Sequence, residues 1–211
     1  MVRRTKQDAQ ATREHLLNTA EQVFLARGLS RSSLQDIATT AGLTRGAIYW
    51  HFADKLALFD AMMARVDLPM EQALATAELR ALQQPGADPL EALRALALEP
   101  FALMRSDPRA RRVFTILMHR AEFVGELAPL ARRNEGAVRD CLLRMERLFL
   151  AAQQAGALSD AVGPHTAATA LLALIDGLLR LCTQHDQSGA PMASVAPAID
   201  ALLAGLRGAQ P

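Results

Sequence analysis

The sequence predicts an all-α protein, and three observations carry that prediction. Ala, Leu, Arg and Glu dominate the 211 residues while Val, Ile and Tyr are sparse, a surplus of helix formers over strand formers. Apolar residues recur at three- and four-residue spacing, as in Leu16, Leu17, Ala20, Val23 and Phe24, which is one stripe of a helix. Capping and breaking residues stand between such stripes, and no alternating β-branched runs flank a hairpin turn.

The elements follow in order. A first helix is expected over 9–27, closed by Gly28. Ser32 or Ser33 caps a short second helix, with Gln35 or Asp36 near the reciprocal position of a capping box, and that helix must stop by Gly42. Thr44 caps a third segment over 45–52, and Asp54 caps a fourth from Lys55 to about 66. Pro69 removes a helical hydrogen bond and crowds the preceding turn, so a kink or short break is expected there, with more helix to about 84. Pro85-Gly86 ends it. Asp88-Pro89 and Asp107-Pro108 each place a cap before a proline at the first helical position. Helices are then expected over 88–105, 109–121, 126–155, 164–184 and 191–207.

Composition excludes several classes. Two cysteines, Cys141 and Cys182, make no disulfide framework and fit a reducing, cytoplasmic setting. The charged opening lacks the apolar stretch of a signal peptide, and no apolar run reaches the length of a membrane helix, so no membrane partner is expected. The five histidines His15, His51, His119, His165 and His185 show no metal-ligand spacing, and no nucleophile elbow, P-loop or dinucleotide motif is present. No metal, no cofactor and no catalytic cluster are therefore expected, and the chain does not read as an enzyme.

The first 54 residues describe a three-helix unit with a helix-turn-helix, turning at Thr40-Ala41-Gly42-Leu43. Ile48 and Phe52 share the core face of the third helix, leaving Arg45, Gly46, Tyr49 and Trp50 on the remaining arc. Aromatics on such a helix can also pack against the rest of the chain. Charge favours the exposed reading: residues 1–55 carry eight basic and five acidic side chains, a surplus of three, while the remainder carries 15 against 17. Positive charge at the helix-turn-helix end is what a phosphate-binding surface requires.

Ser33 to Ala38, Ala41-Gly42, Thr44 to Phe52 and Lys55 resemble the DNA-binding signature of TetR-family transcriptional repressors. Arg3-Arg4-Thr5-Lys6, Thr12-Arg13 and His119 to Phe123 resemble the multidrug-efflux, AcrR-like branch of that family. The resemblance implies a DNA-binding domain over 1–54 and a larger ligand-binding and dimerisation domain over 55–211. It implies that Thr44, Tyr49, His51 and Lys55 grip the phosphate backbone. Ser33, Gln35, Arg45 and Gly46 would lie near phosphates or base edges, with Trp50 on the same surface. An arginine can read guanine bidentately, and the first turn after Asp54 adds backbone N–H groups beside Lys55.

The same resemblance implies a small hydrophobic or drug-like inducer held within the helical body. Leu93, Leu96, Phe114, Leu117, Met118, Val138, Cys141, Met145, Leu172, Ile175, Asp176 and Leu179 are the expected lining, mostly apolar as ligand sites are. Asp176 has two readings. It either faces outward or bonds to a neighbouring arginine, or it is the acid that engages cationic ligands, as the resemblance implies. A homodimer is expected through the helices over 164–184 and 191–207, on Leu171, Leu174, Leu178, Leu181, Val195, Ile199, Leu202, Leu203 and Leu206. The expected function is a dimeric repressor on palindromic double-stranded operator DNA, controlling an efflux-pump operon and released by its inducer. The alternatives are a regulator of lipid or aromatic metabolism and a helical dimerisation protein without DNA binding.

Overall fold

The computed structural model describes residues 6–83, 88–184 and 190–208. Arg3, Arg4 and Thr5, the Pro85-Gly86 stop, His185 and Ser188-Gly189 lie outside the described residues. The elements run α1 (Lys6–Arg27), α2 (Leu34–Thr40), α3 (Arg45–His51), α4 (Lys55–Gln83), α5 (Pro89–Ser106) and α6 (Pro108–His119). A 3-10 turn (Gly125–Leu127) leads into α7 (Ala128–Gln154), followed by α8 (Pro164–Thr183), α9 (Ala190–Ala193) and α10 (Val195–Leu206). Among the described residues no strand forms; one isolated antiparallel bridge joins Leu158 to Arg207.

The expected break at Pro69 is absent, because α4 runs unbroken over 29 residues. A proline costs an interior helix about 3 kcal/mol, and burial of Leu58, Phe59, Met62 and Val66 before it and of Leu74 and Ala77 after it offsets that cost. Pro100 is likewise carried inside α5, where it is buried beside Phe101. The single helix expected over 191–207 is instead α9 and α10, parted at Ser194.

The chain divides into two compact units, and neither ends at residue 54. The first comprises the chain up to Asp67 together with Asp107–Ala131; the second comprises Leu68–Ser106 and Arg132–Pro211. Inside the first unit, α1 buries Leu16, Leu17, Ala20, Val23 and Phe24, and α6 adds Ala110, Val113, Phe114 and Ile116. Polar contacts fasten the α6 segment to the helix-turn-helix. The Leu29 amide donates to the Arg120 carbonyl at 2.8 Å, and the Ser30 hydroxyl donates to Glu122 at 3.1 Å. Phe59 and Phe123 meet edge to face at 6.3 Å. The compact unit that holds the short helices thus extends past residue 54, into the first half of α4 and α6.

In the second unit α5, α8 and α10 pack together. Arg94 donates twice to Asp200, at 2.6 and 3.1 Å, and Arg207 donates to Asp88 at 3.0 Å, tying α10 to both ends of α5's first turns. The chain end is fixed by Ser159 N–H to Leu206 O and Gly208 N–H to Ala157 O. α8 has 20 residues, and an 18-residue window of it averages a mean hydropathy of 1.5, long and apolar enough by length and composition alone to cross a membrane although Asp176 and Arg180 interrupt its apolar run. Leu171, Ile175, Leu178, Leu179 and Cys182 bury one side of it as a core helix.

Candidate nucleic-acid interface

α2 and α3 are set by their caps. Ser33 is the N-cap of α2, its hydroxyl accepting from the Asp36 amide at 3.1 Å while the Ser33 amide donates to the Asp36 carboxylate at 2.9 Å. That resolves the capping box in favour of Ser33 and Asp36. The Ser33 side-chain and backbone hydrogen bonds hold the Asp36 carboxyl below the usual carboxylate range, with Arg27 nearby adding to the effect. Gln35 is exposed and donates to Thr39.

The turn needs Gly42, whose φ of +68° lies in the left-handed region. Leu43 N–H then reaches back to Ala38 O at 2.9 Å, and His15 on α1 bonds the Ala41 carbonyl at 3.0 Å. Thr44 caps α3 through its hydroxyl, which accepts from the Ala47 amide. Ile48 and Phe52 are buried as the spacing predicts. The guanidinium of Arg13 on α1 lies 5.2 Å from the Phe52 ring centroid, a support that sequence reasoning missed.

The opposite face of α3 is open. Tyr49 is 45% and Trp50 70% exposed, and Arg45 and Gly46 lie beside them in solvent. The Arg45 guanidinium sits 5.3 Å from the Tyr49 ring centroid, so the aromatic ring props the cation outward. The Trp50 ring meets half-buried His51 edge on at 4.5 Å. A Cβ on Gly46 would find nothing closer than Thr44 Oγ1 at 3.9 Å, so packing within the fold does not require glycine there. α3 carries no acidic residue. The seven exposed or partly exposed positions Ser33, Gln35, Thr44, Arg45, Gly46, Tyr49 and Trp50 are thus placed by α2 and α3 on one helix-turn-helix, with His51 beneath.

Lys55 is the exception. It is 6% exposed, and its ammonium donates to the Ser32 carbonyl at 2.9 Å and pairs with Glu126 at 2.8 Å. An amine spent on the α1–α2 turn and the 3-10 turn is not presented to a phosphate, so the expected backbone grip is replaced by a structural one. Asp54 does cap α4, accepting from the Ala57 amide at 2.7 Å.

Sequence reasoning also missed Glu21. It is wholly buried on the apolar stripe of α1, where Arg65 of α4 takes one carboxylate oxygen and Arg112 of α6 the other, at 2.8–2.9 Å. Arg65 also bonds Asn18 and Glu14, one and two turns back along α1. The signal was present: Glu21 stands four residues after Leu17 and three before Phe24, beside the apolar stripe, and a buried acid demands cations.

The expected ligand lining is distributed over both units. Phe114, Leu117 and Met118 belong to the first; Leu93, Leu96, Val138, Cys141, Met145, Leu172, Ile175, Asp176 and Leu179 belong to the second. Leu93, Leu96, Phe114, Met145, Ile175 and Leu179 are buried, and Leu117, Met118, Cys141 and Leu172 half-buried. Burial raises the Cys141 thiol, against a smaller opposing pull from Arg144. Val138 is 47% exposed and takes no part in the interior. Asp176 is exposed and accepts from Arg180 one turn on, at 2.9 Å. At 100° per residue it falls on the outer stripe of α8 with Thr169, Ala173 and Arg180, which is the first of its two readings and not a place in the interior lining. Leu171, Leu178, Val195, Ile199, Leu203 and Leu206, expected at a subunit contact, are buried within the chain's own unit; Leu174 and Leu202 are half-buried and Leu181 is 51% exposed.

Comparison with known proteins agrees with this geometry. Residues 16–62 match the family model of bacterial regulatory proteins, tetR family, and residues 88–199 match the C-terminal region of MAATS-type transcriptional repressors. The chain is 40% identical over 178 residues to the HTH-type transcriptional repressor BepR of Brucella suis, covering 84% of this chain and 83% of that protein. It superimposes on NalD, the secondary repressor of the MexAB-OprM multidrug efflux pump in Pseudomonas aeruginosa, with a TM-score of 0.81 and 35% identity over 96% and 98% of the two chains. The SmeT–triclosan complex gives a TM-score of 0.78 and 32% identity over 93% and 92%.

Proposed function

The chain belongs to the TetR family of bacterial regulatory proteins, and from that premise we propose that it represses a multidrug-efflux operon and leaves its operator when a small hydrophobic compound binds. As a member of that family it is a DNA-binding transcriptional regulator and not an enzyme. The observation that carries the efflux reading is the likeness to NalD along nearly the whole of both chains, which extends past the helix-turn-helix into the ligand-responsive part.

In this reading Arg45, Tyr49 and Trp50 meet operator DNA. Arg45 reads base edges and Tyr49, Thr44 and His51 hold phosphates, while Gly46 lets α3 approach the groove floor. Two copies bind a near-palindromic site, joined through the outer faces of α8 and α10 around Leu174, Leu181 and Leu202. The inducer site draws on the interior of the second unit, at Leu93, Leu96, Met145, Ile175 and Leu179, whose apolar side chains suit a compound such as triclosan, the ligand in the SmeT complex.

The test is binding of the purified protein to the DNA upstream of its own gene and of neighbouring efflux genes, followed by triclosan titration. Protection of a near-palindrome, lost as triclosan rises, is expected. Protection that no hydrophobic drug, dye or triclosan relieves sinks the efflux reading, and absence of any protected site sinks repression itself.

A further inference from the structure

We propose that the backbone carbonyl of Leu96, freed by Pro100 inside α5, is the polar anchor of the inducer site. It selects uncharged apolar compounds that carry one hydroxyl or N–H donor, phenols among them. The proposal rests on the reading of a hydrophobic inducer and names what that compound must donate.

The argument begins with the backbone. Proline has no N–H, so the carbonyl four residues before it loses its helical donor, and the ring crowds that carbonyl away from the helix axis. In α5 the proline is Pro100 and the carbonyl is that of Leu96. The helix continues past Pro100 to Ser106, so the loss is confined to one turn. Its direction follows from helical spacing. At 100° per residue Pro100 falls within the arc that runs from Leu96 through Leu93, Met104 and Ala97 to Phe101. Every residue of that arc is buried. A helical carbonyl points along the axis toward the residue four ahead, so the freed oxygen lies on this buried side, where α5 packs against α8 and α10. A buried carbonyl without a donor is costly, and such groups are nearly always paired.

The polar side chains of the second unit are committed elsewhere. Among the described residues Thr183 is the one buried polar side chain of that unit, and its hydroxyl donates to the Leu179 carbonyl at 2.6 Å. Asp176 is exposed and bonded to Arg180, and Arg94 on α5 is bonded to Asp200. Leu93, Met145, Ile175 and Leu179 offer only apolar contact. The donor for Leu96 therefore arrives with the ligand. A carbonyl dipole accepts from a neutral O–H or N–H, but it does not compensate a full positive charge moved into an apolar interior. That sets the chemical class: an apolar body, no net charge and one donor.

The experiment compares triclosan with its methyl ether, which keeps the two rings and chlorines and lacks the donor. Binding is measured by calorimetry in mildly acidic buffer, where the phenol keeps its proton. Wild-type protein should bind triclosan at least about tenfold more tightly than the ether. Pro100→Val restores an N–H to the helix at nearly the same volume, and Pro100→Ala restores it without a β-branch. In either variant triclosan affinity should fall about tenfold while that of the ether changes less than about threefold. Equal affinity of wild-type protein for the two compounds overturns the anchor, and this arm needs no variant to fold. Parallel losses for both compounds in the variants overturn it as well, since they report reshaping of the site and not a lost acceptor. Binding of neither compound to wild-type protein also overturns it. Operator titration keeps the two readings apart. Release by triclosan and ether alike supports a hydrophobic inducer and overturns the anchor, whereas operator binding that neither compound relieves counts against the efflux reading and leaves calorimetry to decide the anchor.

Discussion

The ammonium of Lys55 lies 2.9 Å from the carbonyl oxygen of Ser32, turned into the protein at the start of α4. Glu126 pairs with the same ammonium from outside, and Glu126 itself is 70% exposed. The two partners of this ion pair are therefore unequal. Lys55→Met strands the Ser32 carbonyl in a buried site and should cost about 2–3 kcal/mol of stability in urea unfolding. Glu126→Gln, whose carboxylate is mostly hydrated already, should cost less than about 1 kcal/mol. Lys55→Met should also leave the salt dependence of operator binding unchanged; a slope lowered by about one would return Lys55 to the phosphate backbone.

Glu78 gives a pH signature. Burial alone would raise its carboxyl, but hydrogen bonds from Arg144 and Arg147 outweigh burial and hold it below its ordinary value of 4.5. A carboxyl lowered on folding stabilises the folded state fully above that ordinary value and ceases to do so as pH falls through the lowered one. Glu78→Gln should thus be less stable than wild type near neutral pH, by about 1–3 kcal/mol. The gap should narrow only below about pH 4.5. Chemical unfolding of both proteins across that range checks it, and a constant gap down to the acid limit contradicts it.

The sequence made the helix-turn-helix legible because its signals are local. Ser33, Thr44 and Gly42 act within four residues of themselves, and Ile48 and Phe52 identify their face by spacing alone. Lys55 and Glu21 were misjudged or missed because their partners lie far along the chain, at Glu126 and Arg112. Charge on Lys55 was visible; that its amine is spent on Ser32 was not. The compact units were not legible for the same reason, since the α6 segment joins the first unit through Leu29, Ser30 and Glu21 after an excursion of the chain through α5. Asp176 was half legible: its outward, arginine-bonded reading was open from helical spacing, and only the resemblance pointed to a ligand instead.

Leu178 and Leu181 separate folding from assembly. Leu178 is buried in its own chain, whereas Leu181, three residues on, is half exposed on α8. Leu181→Glu should give a folded monomer with weaker operator binding, as each half-site alone contributes too little. Leu178→Glu should lower stability and solubility before it changes assembly, because it buries a charge without a partner. Sedimentation and circular dichroism on both variants decide the assignment. A Leu181→Glu protein that remains dimeric at micromolar concentration moves the subunit contact off this face of α8.

Gly46 should separate stability from DNA affinity by sign. It lies inside α3 with helical φ, and a methyl there meets only Thr44 Oγ1 at an ordinary 3.9 Å. Gly46→Ala should therefore stabilise the protein by about 0.5–1 kcal/mol, since glycine loses more backbone freedom than alanine on entering a helix. The same methyl projects from the exposed face that carries Arg45 and Trp50. If α3 lies against the groove floor, the added carbon holds it off, and operator affinity should fall about tenfold or more as the Arg45 contacts lengthen. Arg45→Ala gives the reference: unchanged stability and about 1–3 kcal/mol less discrimination at the base pair it reads. Thermal unfolding and operator titration of Gly46→Ala, side by side, decide it. A variant that gains stability and keeps full affinity places the groove contact elsewhere on the helix-turn-helix.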